Sequence, residues 1–154
     1  MGYHARKTEQ GTKQMKNTVF AAAADALLGA AAFGDIGDFT SEEADRSGKA
    51  VLRSAAEKLE ENLYVISNLD ILIIAEDQSI REEFPEIRDA IAGVLHLERD
   101  QINLKLSDAS VFAGLGKEGY VIARAAASIE TIANYSYEVG AGSGCAGCGG
   151  CPMR

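Results

Sequence analysis

Val65-Ile66-Ser67-Asn68-Leu69-Asp70-Ile71-Leu72-Ile73-Ile74-Ala75 is the stretch from which the fold class follows. Branched apolar residues crowd it, and it closes on the unbroken run Ile71 to Ile74, the pattern of a strand buried on both faces. Helical patterns flank it. Immediately upstream, Ala44, Val51, Leu52, Ala55 and Leu59 recur at helical spacing up to about Asn62, behind Thr40 and Glu43, which read as a capping box. Further back, Thr18 to Phe33 sets Phe20, Leu27 and Leu28 among alanines, a good helix former that Gly34 stops. Downstream, Ile80, Phe84, Ile87, Ile91 and Leu95 line one side of a helix. Ile102, Leu104 and Leu106 then alternate with Asn103, Lys105 and Ser107, which predicts a half-buried strand. A glycine-rich turn at Gly114 to Gly119 precedes a last predicted helix, about Tyr120 to Ala133. The predicted order is helix, helix, strand, helix, strand, helix, an α+β arrangement with a small sheet covered by helices. Two strands make a thin sheet, so a further strand from the N-terminal arm, or completion by neighbouring subunits, is expected.

The chain has 154 residues, 47% of them hydrophobic and 25% charged, enough for one globular domain. Its 15 Lys+Arg against 23 Asp+Glu leave a formal charge of −8, which argues against sequence-independent binding to nucleic acid or anionic lipid. The longest apolar run, Val19 to Phe33, is interrupted by Asp25 and Gly29 and is shorter than the roughly 20 residues a membrane span needs. Arg6, Lys7, Lys13 and Lys16 charge the N-terminus, but an alanine-rich segment follows and continues into the fold, unlike a cleaved secretory signal. The cytoplasm is the expected compartment.

Composition divides the chain into a basic arm at 1–17, expected outside the core, a domain at 18–139, and a Gly/Cys-rich tail at 140–154. The tail holds six of the sixteen glycines and all three cysteines, so it has little to bury and is expected to be flexible.

Asp25-Ala26-Leu27-Leu28-Gly29-Ala30-Ala31-Ala32-Phe33-Gly34-Asp35-Ile36-Gly37 resembles the segment that follows the active-site histidine in methylerythritol cyclodiphosphate synthases (IspF-like) of the non-mevalonate isoprenoid pathway. The similarity runs on through Asn68-Leu69-Asp70, Ile73-Ile74-Ala75, Asn103-Leu104-Lys105 and Gly116-Lys117-Glu118-Gly119, covering roughly residues 18–133. The resemblance implies a homotrimer with active sites between subunits, and a zinc ion that grips the diphosphate of a cytidylyl ester as it cyclises and releases CMP. It also implies zinc ligands from an Asp-x-His pair on a first strand and from a later histidine. That later position is Ala21 here, and Gly2-Tyr3-His4-Ala5-Arg6 keeps only His4 as a vestigial ligand. The family's His-Ser-Asp-Gly-Asp loop reads Lys13-Gln14-Met15-Lys16-Asn17, its Ala-Pro-Lys-Met loop reads Asp77-Gln78-Ser79-Ile80, and its Thr-Thr-Thr-Glu run reads Ser107-Asp108-Ala109-Ser110. A catalytic zinc normally has three protein ligands, so the expectation is a scaffold without catalytic residues, not an enzyme.

The other polar groups read as structural. His96 ends a predicted helix and caps it or faces solvent. Glu82, Glu83 and Glu86 interleave with Arg81 and Arg88 on a solvated face. Asp35 and Asp38 belong to a turn, and Gly114 to Gly119 matches neither the Walker nor the dinucleotide spacing.

The tail carries the chemistry that the domain lacks. Cys145, Cys148 and Cys151 recur every third residue, each after a glycine, and an odd count disfavours a closed set of disulfides. The leading reading is a folded leader for a ribosomal peptide whose cysteines are modified, with Gly140, Ala141 and Gly142 as the cleavage region and a tail-modifying enzyme as partner. The second is a trimeric zinc or iron–sulfur carrier serving a metal-transfer protein, although three thiols leave either site one ligand short. General thiol handling and a surviving cyclodiphosphate synthase follow.

Overall fold

Alanine and leucine form the longest helix. In the computed structural model, which describes residues 9–39, 47–109 and 121–132, α1 spans Glu9–Ala30. Its buried residues, Met15, Val19, Phe20, Ala23, Ala24, Leu27, Leu28 and Ala31, step by three and four along one stripe. The helix stops where Ala32 and then Gly34 turn left-handed, at φ 57° and 87°. A single turn, α2 (Ile36–Phe39), follows, and α3 spans Gly48–Glu61 with the Ser47 hydroxyl accepting from the Ala50 amide. Val51, Leu52, Ala55, Ala56 and Leu59 form the buried stripe of α3, which lies against α1. The two backbones meet at Gly48, where a Cβ would stand 2.3 Å from the carbonyl oxygen of Asn17.

Strand β1 (Tyr64–Ala75) is central in a three-stranded sheet of order β2-β1-β3. It pairs in parallel with β2 (Ile102–Asp108), from Leu69↔Ile102 to Ala75↔Asp108, and antiparallel with β3 (Ile122–Thr131), from Tyr64↔Thr131 to Ile74↔Ile122, with an irregularity between Ile66 and Asn68. The parallel crossover runs through a 3-10 turn (Gln78–Glu83), α4 (Phe84–Leu95) and a second 3-10 turn (Arg99–Gln101). Alternation decides the faces. Ile66, Leu69, Ile71, Ile73, Ile102 and Leu104 point into one core with the stripes of α1, α3 and α4. Asn68, Asn103, Lys105, Arg124, Ala126, Ser128 and Glu130 are exposed on the opposite face.

The α+β architecture is as expected, but four expectations need correction. Residues 122–131 form strand β3, not a helix, so among the described residues the third strand comes from the C-terminal part of the domain. Helix α1 already begins at Glu9, and Met15 is 4% exposed, so the segment before Thr18 enters the core. The stretches Ala21 to Ala24, Ala30 to Ala32 and Ala125 to Ala127, which their small side chains would suit to close packing between subunits of a trimer, are in part used within the chain: Ala23, Ala24 and Ala31 are buried, and Ala125 and Ala127 face α1. Finally, β1 is buried on both faces only towards its end, at Ile73, Ile74 and Ala75, while Leu72 is half-buried.

The Thr40–Glu43 box, the Gly114–Gly119 turn, His4, Gly140, Ala141, Gly142, Cys145, Cys148 and Cys151 lie outside the described residues. Among those described, no helix is long and apolar enough to cross a membrane.

Candidate functional site

Parallel strands direct attention to their carboxyl ends, where α/β sheets usually receive ligands. Strands β1 and β2 finish in register, Ile74 beside Ser107 and Ala75 beside Asp108. The chain leaving β1 turns at once. Asp77 Oδ1 accepts from the Ser79 amide at 2.9 Å and from the Ser79 hydroxyl at 2.6 Å, while Gln78 Nε2 donates to the Ala75 carbonyl at 3.1 Å. Ile80, 6% exposed, anchors this turn in the core. The segment in the place of the family's Ala-Pro-Lys-Met loop is therefore a capped 3-10 turn, with Asp77 and Ser79 at the rim of the strand ends.

A second polar group sits on the open face of the sheet. Asp70 Oδ2 pairs with Lys105 Nζ at 2.5 Å, and Oδ1 accepts from Asn103 Nδ2 at 2.7 Å. The Lys105 ammonium, helped by the Asn103 amide, holds the Asp70 carboxyl below the usual carboxylate range against a smaller opposing effect of burial. Sequence reading picked out Asn68-Leu69-Asp70 and Asn103-Leu104-Lys105 separately and missed that they meet. The available signal was register, since Asp70 lies opposite Asn103 once Leu69 is paired with Ile102.

The third region is the N-terminal half of α1. Lys13 to Asn17, in the place of the family's His-Ser-Asp-Gly-Asp loop, is continuous helix. Within it Met15 is buried, Lys16 Nζ contacts Glu86 Oε1 at 2.6 Å, and Asn17 lies against Gly48. Ala21 stands one turn before Asp25, whose Oδ1 accepts from the Ile36 amide at 3.3 Å and ties α1 to α2. Asp35 is exposed beside that junction. His96 is the C-cap of α4 at φ 54°, the capping role read from the sequence.

These donors do not fit the zinc that the resemblance implies. Ala21 offers no ligand atom, and among the described residues no group of three His, Cys, Asp or Glu side chains could hold a metal ion.

Comparison with known proteins gives a consistent answer. The description of the YgbB family matches residues 17–130. A 2-C-methyl-D-erythritol 2,4-cyclodiphosphate synthase of Lachnospira eligens is 33% identical over 132 residues, covering 82% of this chain and 72% of that protein. Among solved structures, IspF of Plasmodium falciparum in complex with CDP superposes with a TM-score of 0.65 at 24% identity, over 74% of this chain and 70% of that one. The Plasmodium vivax synthase does so with a TM-score of 0.61 at 26% identity, over 74% and 69%.

The expectation that the chain is not an enzyme is overturned by these relatives, which are named as synthases. Altered side chains in a few short segments bear on which ligand atoms are present. They do not decide whether the surface between those segments turns over a substrate.

Proposed function

The chain belongs to the YgbB family, and from that premise we propose that it acts as a cyclodiphosphate synthase on a nucleotide-linked diphosphate ester. In this reaction an oxygen of a phosphate monoester on the same alcohol attacks the diphosphate phosphorus that the alcohol carries, the bond from that phosphorus to the nucleoside monophosphate breaks, and a cyclic diphosphate forms. The observation that carries the reading is 33% identity to a named synthase across 82% of the chain. The site is placed at the carboxyl ends of β1 and β2, where the Asp77–Ser79 turn and the Ser107–Asp108 strand end flank one rim. Their part is to position the ester, since intramolecular attack gains most from alignment of the reacting groups. The test is incubation of the full chain with a cytidine-linked diphosphate ester whose alcohol also carries a phosphate monoester, with CMP followed by chromatography and the cyclic product by phosphorus NMR. Both products are expected. Their absence at enzyme concentrations equal to substrate overturns the reading.

A homotrimer is the proposed assembly. What supports it is the face of the sheet carrying Asn68, Lys105, Arg124 and Ala126, which the described helices leave uncovered. The cytoplasm is the proposed compartment.

The Gly-Cys repeat favours a second role beside the first. In this reading the folded domain is a recognition leader, and Cys145, Cys148 and Cys151 are modified by a partner enzyme, with cleavage in Gly140 to Gly142. Intact mass of protein from its own host is the test. A covalent mass change confined to the three cysteines, or truncation near Gly142, is expected. Unmodified thiols holding zinc or an iron–sulfur cluster would replace this role with metal carriage for a transfer protein.

A further inference from the structure

We infer that the domain of this chain has no zinc site of the kind its resemblance implies, because the positions that would carry the ligands hold too few donor side chains. Donor chemistry comes first. Zinc in proteins takes mainly histidine nitrogen, cysteine sulfur and carboxylate oxygen, with at least three protein ligands at a catalytic site. The whole chain has two histidines, His4 and His96, and its three cysteines all stand at 145–151. His96 caps the C-terminus of α4, and the position in α1 that would carry the later histidine is Ala21.

The neighbouring segment has changed as well. Lys13 to Asn17, in the place of the family's His-Ser-Asp-Gly-Asp loop, offers neither histidine nor carboxylate, and three contacts hold these residues in α1. Met15 is 4% exposed within the core. The backbone of Asn17 approaches Gly48 so closely that a Cβ there would stand 2.3 Å from the Asn17 oxygen and 2.8 Å from its Cα. Lys16, whose side chain is 21% exposed, reaches Glu86 at 2.6 Å and ties the same turn to α4. Unwinding the turn would expose Met15, separate α1 from α3 and break this ion pair. The Lys16 ammonium also sets a positive charge where the family's loop carries carboxylates, and a nearby cation disfavours a divalent ion.

The inference concerns metal affinity and stands whether or not the proposed cyclisation occurs. Its test uses the full chain carrying Cys145→Ser, Cys148→Ser and Cys151→Ser, so that tail thiols contribute nothing. After dialysis against zinc chloride and gel filtration, the expected content by atomic emission is far below one zinc per chain, with a melting temperature unchanged by added zinc. One zinc retained per chain, or a melting temperature that climbs with zinc concentration, overturns the inference. A second variant adds Ala21→His to the three serine changes. It is expected to retain no zinc either, because Gly2-Tyr3-His4-Ala5-Arg6 still lacks the aspartate of the ligand set, and stoichiometric zinc in this variant overturns the donor argument. Where CMP release is detected from a cytidine-linked diphosphate ester, its rate is expected to be unchanged by EDTA, and full inhibition by EDTA with recovery on zinc addition overturns the inference.

Discussion

Asp70 shows how a single side chain on the open sheet face answers to its neighbours. Its carboxyl is held below the usual range chiefly by Lys105, so the folded state binds this proton more weakly than the unfolded chain does. The contribution of the pair is fully present above about pH 4, the unfolded value, and is lost as pH falls through the lower folded value. Both partners are substantially exposed, at 49% for Lys105 and 35% for Asp70, so the effect is small. Asp70→Asn is expected to destabilise by at most about 1 kcal/mol at neutral pH and to flatten the acid limb of a melting curve recorded against pH. Gly48 is the opposite case, a residue with almost no room. Gly48→Ala places a methyl group against the backbone of Asn17, and a loss of about 1–3 kcal/mol in urea unfolding is expected. An unchanged midpoint would mean that α1 and α3 can move apart freely. Neither residue announces this in the sequence, where Asp70 is one polar residue in an apolar strand and Gly48 looks like an ordinary helix-start glycine.

Elements differ in how clearly their pattern is written. Strands β1 and β2 and helix α4 were legible because their apolar residues are large and keep one period, Ile102, Leu104 and Leu106 for a strand and Phe84, Ile87, Ile91 and Leu95 for a helix. Strand β3 was not. Ala123, Ala125, Ala126 and Ala127 carry no period, because alanine is equally at home on both faces and is the best helix former. In the fold, Ala123, Ala125, Ala127 and Ile129 turn towards the core, while Arg124, Ala126, Ser128 and Glu130 are exposed. The small inward residues let α1 lie close to the sheet, and this tertiary requirement outweighs helix propensity. Ala125→Leu is therefore expected to overpack the layer between β3 and α1 and to cost about 1–3 kcal/mol. If β3 were the surface helix that its propensity suggests, the same change would be neutral, and a thermal melt separates the two. The early start of α1 has a similar cause, since Met15 gains burial only from the core that distant segments assemble around it.

At the scale of the whole molecule, helices cover one face of a three-stranded sheet, and the described residues leave the other open except at the end of β1, where Ile74 is buried. Ala126 lies in the middle of that open face, beside Asp70. Sedimentation of the full chain is expected to give a trimer at micromolar concentration, and Ala126→Arg, which disturbs no core contact, is expected to give folded monomers. A wild-type monomer, or a variant that stays trimeric, would remove this face from the assembly. The sequence by itself determined the α+β class, the central strand, the crossover helix with the strand after it, and the membership of a family whose packing segments survive from Asp25 to Lys105. It could do so because large apolar residues at a fixed period demand burial wherever the chain goes. Only the tertiary structure decided that residues 122–131 are a strand, that Asp70, Asn103 and Lys105 form one network, and that Lys13 to Asn17 is held as helix. Each of these depends on what a residue meets across the fold, between segments far apart in the chain. Small or polar side chains leave that meeting unwritten in their own neighbourhood.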